Sequence, residues 1–388
     1  MLCEIDIAYL QRQLQQLLAI SSPTGFTDEI ARYVCKELKR LGVDYDLTRR
    51  GAVRARIGGK MSASARGVVS HLDTLGAMVK SLKTNGRLEL VPIGHWSARF
   101  AEGARAVVYT DKGAYRGTIL PLKASGHTFN EEVDQLPVGW DYVEMRVDAL
   151  ARSHGDLARL HINIGDIVAI DPQPEFLDNG FIISRHLDNK AGVATMLAAL
   201  KGIKQAGFEL PVDSYWLFTI AEEVGQGATS VLLPDIVSML TVDNGTTAPG
   251  QNSDEFGVTI AMADQTGPFD YHLTRKLIRL CEEHDIRHQR DVFRYYRSDS
   301  ASAIEAGADV RTALATFGVD ASHGYERIHM HALRSLAELI SCFVLSDVEI
   351  ARDAREAGSL RGFTHQPMDE VDQELSAEIA TPAEVEEG

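Results

Sequence analysis

The sequence predicts an α/β fold with a mostly parallel sheet and helices on both faces, interrupted by a small β-rich insertion. Strand-like and helical segments alternate from about residue 181, as in "GFIISRHLDNKAGVATMLAALKGI" and "YWLFTIAEE". Helical and strand-like segments also follow one another near the start of the chain, where a helical pattern over 27–41 precedes the short strand "ARGVVSHLD" at 65–73. Between these parts, roughly 78–180 consists of short alternating segments punctuated by Gly, Asn and Asp, which is typical of a small β-rich domain.

These changes in the pattern of predicted strands and helices divide the chain into three parts. We predict that 1–77 and 181–362 form the α/β domain, that 78–180 forms the insertion, and that 363–388 is an acidic tail without a packed structure. The tail has eight acidic residues and no Lys or Arg between positions 369 and 388. A length of 388 residues suits one large domain or two domains.

Composition restricts the classes of partner. The formal net charge of −16 argues against nucleic acid or an anionic membrane as the main partner. No window approaches 18 uninterrupted apolar residues, and the amino end lacks the basic start and apolar block of a signal peptide. The four cysteines are widely scattered and form no CxxC pair, so we expect a reducing, cytoplasmic setting.

Ionisable residues close several predicted strands or open the turns that follow them. They are His71 and Asp73 in "SHLDTLG", Asp188 in "RHLDNKAG", Glu222 and Glu223 in "IAEEVGQGA", Asp243 in "TVDNG" and His323 in "DASHGYER". In open parallel sheets ligands bind beyond the carboxyl ends of the strands, so we expect these side chains to converge on one rim. Two imidazoles and several carboxylates suit divalent metals, Zn²⁺ above all, and a carboxylate can bridge two ions about 3.5–4 Å apart.

The adjacent acids Glu222 and Glu223 follow the apolar run "YWLF". Two carboxylates at the end of a buried strand are costly unless they are neutralised. Neighbouring strand residues point to opposite faces, so a pair that serves one site must lie where the strand breaks into a turn. Our interpretation is that one Glu faces a metal and the other faces the water held there.

The motifs "HLDTLG", "RHLDNKAG", "EEVGQGA", "VDNG" and "SHGYER", in this order, resemble the metal-site motifs of co-catalytic di-metal aminopeptidases. Their spacing is similar to that of the tetrahedral, or glutamyl (deblocking), aminopeptidase family. In that family a β-barrel lid domain is inserted between the first His and the bridging Asp, and the gap from 71 to 188 suits such an insertion. The resemblance extends from Leu10 to Leu345.

The resemblance implies a metallopeptidase that hydrolyses N-terminal residues of short peptides. It implies two divalent ions per subunit, with Zn before Co or Mn, and a homo-oligomer between a dimer and a dodecamer. The α/β domain would be catalytic, and the insertion would serve as a lid and dimerisation domain. By this resemblance His71 and Asp243 would bind the first metal, Glu223 and His323 would bind the second, and Asp188 would bridge the two. Glu222 would be the general base, and Asp73 would orient His71.

Three features depart from the family pattern. Asn189 and Lys190 stand where similar proteins usually have Asp and Arg, and Thr74 stands where an acidic residue is usual. The stretch "VFRYYRSDSASAIEAG" also differs from the Gly-rich "GGTDA" type of segment. Together with "GQNSDEFGVTIAMAD" and "LPLKASGHTFNEE", it resembles a subgroup linked to bacterial gene clusters for an osmoprotectant, an N-acetylated glutamine dipeptide. A link to such a gene cluster does not by itself define the reaction that a protein catalyses.

Several alternatives stay open at this stage. A di-metal amidohydrolase acting on N-acylated dipeptides has the same motif order, but its extra domain is inserted late, whereas here the gap from 243 to 323 is short. A catalytically silent scaffold would be expected to have lost ligands. A polysaccharide hydrolase needs two carboxylates on opposite sides of the scissile bond, and the set of candidate metal ligands gives no reason for that arrangement.

Single residues also have purely structural alternatives, since Asp188 could simply cap a helix and Asp243 could begin a turn. His329 and His331 are interpreted as surface residues of a helix.

Overall fold

The α-helices lie mainly in two blocks of sequence, before residue 41 and after residue 187. The computed structural model describes residues 3–350, Asp353, Phe363 and Gln366, so the predicted tail over 363–388 otherwise lies outside the described residues. The α-helices of this part are α1 (Ile7–Leu18), α2 (Asp28–Arg40), α3 (Gly126–Phe129), α4 (His154–Arg159), α5 (Leu187–Ala206), α6 (Tyr271–Glu283), α7 (Asp299–Glu305) and α8 (Met330–Leu345).

The strands divide between two sheets. They are β1 (Asp44–Leu47), β2 (Val53–Ile57), β3 (Gly59–His71), β4 (Gly76–Leu82), β5 (Leu88–Ile93), β6 (Arg105–Thr110), β7 (Gly113–Pro121), β8 (Val143–Val147), β9 (Ile167–Ile170), β10 (Glu175–Phe176), β11 (Phe181–Ser184), β12 (Leu210–Thr219), β13 (Ile236–Thr247), β14 (Val258–Asp264), β15 (Gly267–Pro268), β16 (His288–Val292), β17 (Arg311–Asp320) and β18 (Glu326–His329).

The larger sheet has the order β1-β2-β12-β3-β13-β17-β18-β11-β10, and β14 to β16 join it through β17. Its four central strands, β12, β3, β13 and β17, are mutually parallel, whereas the pairs toward its edges are mostly antiparallel. The central strands are covered on both faces, and β12 is buried from Val212 to Thr219. This arrangement confirms the predicted α/β class.

Helix α5 runs through the middle of the α/β body. It is buried from Leu187 to Leu200 and contacts α1, α8 and the central strands. A helix that is apolar and small on every side is suited to such a position. Gly192 is required there, because a Cβ atom would lie 2.1 Å from Asn189 Oδ1 and 2.8 Å from Ser70 Oγ. The tight packing fixes the start of α5 against the end of β3, where Asp188 and His71 lie.

The insertion forms a closed six-stranded barrel with the order β4-β5-β8-β7-β6-β9. Its interior is a separate apolar core that includes Val79, Leu90, Val108, Met145 and Val168. Closure pairs every strand on both sides, which removes exposed sheet edges. The barrel occupies the sequence between the end of β3 and the start of β11, as predicted for an inserted barrel.

The prediction that His329 lies on a helix surface is wrong. Residues Glu326–His329 form strand β18, and α8 begins only at Met330. His329 is 5% exposed, its Nδ1 accepts the N–H of His331 (3.1 Å), and its Nε2 donates to the Asn179 carbonyl (3.0 Å). The imidazole therefore caps α8 and fixes a loop, and of the two histidines only His331 is exposed.

Among the described residues, no helix is both long and apolar enough to cross a membrane.

Candidate metal centre

Residues from distant parts of the chain meet at the rim formed by the carboxyl ends of the central strands. His71 ends β3 and pairs in register with Thr219, which ends β12. His323 follows β17, and Asp188 lies at the start of α5. Asp243 departs slightly from expectation, because it lies within β13 and the strand continues to Thr247. The parallel register is what brings these segments to one edge.

His71 lies at the centre of the cluster and is 1% exposed. Its Nδ1 is 2.9 Å from the main-chain oxygen of Asp73 and donates to it. Its Nε2 faces three carboxylates, at 3.1 Å from Asp188 Oδ1 and 3.7 Å from both Glu222 Oε2 and Asp243 Oδ1. An imidazole held in this way presents its Nε2 lone pair to the acids, which is how His binds metals.

Asp188 lies between the two candidate histidine ligands. Its Oδ1 is 3.1 Å from His71 Nε2, and its Oδ2 is 3.3 Å from His323 Nε2. Oδ2 also accepts a hydrogen bond from Asn244 Nδ2 at 2.6 Å. One carboxylate oxygen therefore faces each histidine, which is the arrangement that a bridging ligand requires.

The remaining acids complete two overlapping groups. One group is His71, Glu222 and Asp243, the other is His71, Asp188 and Glu223, and the ligand atoms within each group lie within 4.8 Å of one another. His323 Nε2 lies 4.0 Å from Glu223 Oε2. Every residue predicted as a metal ligand thus lies in one cluster. Glu222, predicted as the general base, is as close to His71 as Asp243 is.

Asp73 supports the cluster in a different way from the one predicted. Its main-chain carbonyl, rather than its carboxylate, accepts the hydrogen bond of His71, and Asp73 Oδ1 lies 3.6 Å from His71 Nδ1. The carboxylate instead accepts the backbone N–H groups of Glu222 (3.1 Å) and Glu223 (3.3 Å) and the hydroxyl of Thr24 (2.6 Å). Asp73 therefore ties the histidine strand to the turn that carries the two glutamates.

Asp299 braces the far side of the same turn, and sequence reasoning missed it. Its carboxylate accepts the Thr219 hydroxyl (2.6 Å) and the backbone N–H of Ala228 (2.7 Å). Gly227 allows this approach, because a Cβ atom there would lie 1.9 Å from Asp299 Oδ1. The turn with Glu222 is thus held at both ends by buried carboxylates. The only signal in the sequence was an acid in "RSDSA", with no indication of its partners.

Glu326 is a second residue that the sequence did not indicate. It is 1% exposed and accepts the backbone N–H groups of Asp188 (3.1 Å) and His323 (2.9 Å). Burial, followed by the charge of Asp188, raises the pKa of Glu326 to about 8. The side chain joins the main chains of the central acid and the second histidine and so fixes their separation.

The charges of the cluster show a shortage of cations. Burial and neighbouring carboxylates raise the pKa of Glu222 and of Glu223 well above the ordinary value. Burial opposes protonation of His323, but its hydrogen bond to Asp188 and the charge of Glu223 outweigh this and raise its pKa to about 10. Among the described residues, the basic side chains paired with these acids are only the two histidines. Glu223 Oε1 has no hydrogen-bond partner there.

This donor set fits divalent cations. Isolated buried carboxylates are strongly disfavoured, whereas imidazole and carboxylate groups facing one point are usual zinc ligands. The unpartnered Glu223 oxygen is the kind of buried polar atom that a ligand would satisfy. The positions of His71 and Asp188 therefore point to a metal centre rather than to a purely structural hydrogen-bond network.

Three of the residues that depart from the family pattern, Thr74, Asn189 and Lys190, do not line this centre. The Thr74 hydroxyl donates to the Leu75 carbonyl at 3.0 Å, and Asn189 Nδ2 donates to the Val242 carbonyl at 2.8 Å. Lys190 Nζ donates to the Ile20 carbonyl at 2.5 Å, and burial lowers its pKa to about 7. Each side chain thus bonds to a main-chain carbonyl, and the candidate ligands retain their mutual geometry.

Comparison with known proteins identifies the family. The family model described as M42 glutamyl aminopeptidase matches residues 51–339. The chain belongs to the M42 family. YhfE of Bacillus subtilis (strain 168), whose name assigns it provisionally to the aminopeptidases, is 37% identical over 334 residues, covering 86% of this chain and 96% of that protein. The glutamyl aminopeptidase of Lactococcus lactis subsp. cremoris (strain MG1363) is 27% identical over 236 residues, covering 58% and 64%.

Solved structures of similar shape support the M42 fold. The TET aminopeptidase of a marine sediment archaeon of the Thaumarchaeota superposes with a TM-score of 0.79 at 19% identity, over 88% of this chain and 98% of that one. The Pyrococcus horikoshii TET1 peptidase, described as assembling into a tetrahedron or an octahedral shell, gives 0.77 at 21% identity, over 87% and 99%. At these sequence identities the structural likeness shows the fold alone. Membership of the M42 family is what places this chain among the aminopeptidases.

Proposed function

We propose that this M42 protein is a metal-dependent aminopeptidase that removes N-terminal residues from short peptides. One observation carries the proposal: the carboxylate of Asp188 directs one oxygen to His71 and the other to His323. A shared acid between two imidazoles, with further buried acids around it, suits a pair of divalent ions. The proposal assigns His71 and Asp243 to one ion, Glu223 and His323 to the other, and Asp188 to both.

The ions that suit these ligands are Zn²⁺, followed by Co²⁺ and Mn²⁺, because the donors are imidazoles and carboxylates without thiolates. Bound there, such ions would polarise the scissile carbonyl and lower the pKa of water. A free substrate amine would occupy the remaining position, which restricts cleavage to the amino end of a peptide.

Glu222 is the proposed general base. Its side chain is 14% exposed, compared with 4% for Glu223, so Glu222 is the member of the pair that water and substrate can reach. Its carboxylate would take a proton from the attacking water and deliver it to the leaving amine. Burial raises the pKa of the Glu222 carboxyl, and a raised pKa suits a group that takes up and then delivers a proton. The hydrogen bonds that Asp73 and Asp299 make to the turn hold Glu222 in place.

The larger-scale assignments are also proposals. We assign catalysis to 1–77 and 181–362, and lid and dimerisation roles to 78–180. A homo-oligomer is proposed because TET peptidases of similar fold are described as a dodecamer or a tetrahedron. We propose a cytoplasmic setting, in keeping with four free cysteines. An osmolyte-related dipeptide is a proposed substrate alongside general short peptides.

The test is a comparison of substrates with and without metal. Chelator-treated protein is reloaded with Zn²⁺, Co²⁺ or Mn²⁺ and assayed on aminoacyl p-nitroanilides, free dipeptides and the same dipeptides N-acetylated. We expect hydrolysis of the free-amine substrates only, restored by metal. Glu222→Gln should retain its metal and lose most turnover, about 10²–10⁴-fold. Cleavage restricted to the acetylated dipeptides would indicate a deacylase, and inactivity on all of them would indicate a silent scaffold.

A further inference from the structure

Two hydrogen bonds in series lead from the loop after β17 to the carboxylate of Asp188. The Ser322 hydroxyl donates to Asn244 Oδ1 at 3.2 Å, and Asn244 Nδ2 donates to Asp188 Oδ2 at 2.6 Å. Asn244 is 2% exposed, and Ser322 is half-buried. A carboxylate can only accept, so the amide must present its N–H group to Asp188, and the hydroxyl of Ser322 holds the amide that way round.

The main chain and the side chain of Asn244 act on different acids. The main-chain N–H donates to Asp243 Oδ1 at 2.7 Å, whereas the side chain reaches Asp188. A substitution of the Asn244 side chain leaves the main-chain contact with Asp243 in place. Because Asp243 and His71 are assigned to the first ion, such a substitution removes no support from that position.

The Asp188 carboxylate needs a support beyond that of its main chain. Glu326 accepts the main-chain N–H groups of Asp188 and His323, which fixes the backbone but not the rotation of the Asp188 side chain about its own bonds. Oδ1 of Asp188 faces His71, and Oδ2 faces His323. The hydrogen bond from Asn244 is made to Oδ2, so it holds the oxygen that faces the second histidine.

We propose that Ser322 and Asn244 are positioning residues that hold Asp188 Oδ2 toward the second ion, the one assigned to Glu223 and His323. This rests on the metal centre of the proposed function. Without the amide, the Asp188 carboxylate is free to keep Oδ1 at the first position and to turn Oδ2 away from the second. Hydrogen bonds to the ligands of a metal typically change its affinity by about 10- to 100-fold, so the expected effect is measurable.

A purely structural role predicts a different outcome. In that case the two hydrogen bonds would only tie β13 to the loop after β17 and to the start of α5. Their loss would then lower the free energy of unfolding and leave the affinity for metal unchanged. The positioning role predicts instead that one of the two ions binds more weakly and that the other is unaffected.

The decisive experiment measures Zn²⁺ affinity in the full-length protein by competition with a chelator. Ser322→Ala should bind one ion as the wild type does and the other about 3- to 10-fold more weakly, and Asn244→Leu should weaken that ion by about 10- to 100-fold. Ser322→Thr keeps the hydroxyl and should recover the wild-type affinity. Ser81→Ala is the matched control, because Ser81 is also a partly buried serine that donates to a side chain, that of Glu89, but it belongs to the barrel.

A double substitution tests which ion this pair of residues supports. His323→Ala removes a ligand of the second position, so adding Ser322→Ala to it should not weaken the ion that remains. A further loss there, equal weakening of both ions, or wild-type affinity in either Ser322→Ala or Asn244→Leu would overturn the positioning role. A wild-type protein that binds Zn²⁺ but hydrolyses no free-amine peptide would contradict the aminopeptidase function alone, and one that binds no divalent ion would contradict both proposals.

Discussion

The Nδ1 atom of His323 lies 2.9 Å from the main-chain oxygen of His95, so the barrel holds a candidate metal ligand of the α/β body. His95 follows strand β5, and the adjacent Trp96 donates from Nε1 to the Gly76 carbonyl at 3.0 Å, which anchors the segment. With Nδ1 donating to a carbonyl, His323 presents Nε2 to Asp188. The insertion is therefore part of the site's framework.

Gly94 should be essential to this contact. It has φ +81°, and a Cβ atom would lie 2.5 Å from Leu75 Cδ2 and 3.4 Å from Glu223 Cβ. Gly94→Ala should displace the His95 carbonyl and weaken the metal position held by His323 and Glu223. We expect a loss of about half of the bound metal after dialysis, measured by inductively coupled plasma mass spectrometry, with a corresponding loss of activity.

Gly103→Ala is the control for backbone strain. Gly103 has φ +78°, nearly the same as Gly94, but a Cβ atom added to it would meet no heavy atom within 4 Å. Both variants thus have the same conformational cost, and only one of them meets a neighbour. Equal metal content in the two variants would show that the His95 segment does not support the second histidine.

Asp188→Ala should release both ions. The substitution removes the oxygens that face His71 and His323 and leaves the Asn244 amide without its acceptor. Metal content after gel filtration should fall below about one tenth of the wild-type value, because each position loses a ligand that the other shares. The exposed Asp178 offers a control, and Asp178→Ala should stay loaded. A fully loaded Asp188→Ala protein would exclude the bridging role.

Local patterns predicted well which strand-end residues converge, and they predicted the supporting residues poorly. His71 and Glu223 were recognisable because each closes or follows an apolar strand within a few residues. Asp299 was not, because its partner Thr219 is 80 residues away and no local spacing encodes that contact. His329 was misplaced because helical periodicity continues from α8 back into strand β18. Contacts between distant segments depend on sheet register, which a single sequence specifies only indirectly.

Asp299→Ala should destabilise the turn that carries Glu222. It would leave the Thr219 hydroxyl buried without an acceptor, and it would leave the Ala228 N–H with Ser302 Oγ, at 3.1 Å, as its remaining acceptor. Urea denaturation should show a loss of about 1–3 kcal/mol, and kcat should fall with little change in metal content. Thr219→Val removes one of the two contacts and should produce a smaller loss. A variant with wild-type kcat would show that the brace has no effect on the base.

Lys276 should make stability depend on pH. It is 5% exposed on α6, and its ammonium group donates to the Asp347 carbonyl at 2.7 Å. Burial, with a contribution from the charge of Arg66, lowers the pKa of Lys276 from 10.5 to about 7. Between these two pKa values the unfolded chain binds a proton that the folded chain has released. The free energy of unfolding should therefore rise with pH, by about 2 kcal/mol between pH 7 and pH 9 from this group alone.

Lys276→Met isolates that contribution, because Met keeps much of the aliphatic volume and does not titrate. Urea denaturation of wild type and variant at several pH values should give curves that differ in slope, with the variant relatively more stable at pH 7 than at pH 9. Lys204→Met, at an exposed position of α5, should keep the wild-type slope. Parallel curves for wild type and Lys276→Met would mean that the ammonium group is charged equally in the folded and unfolded chains.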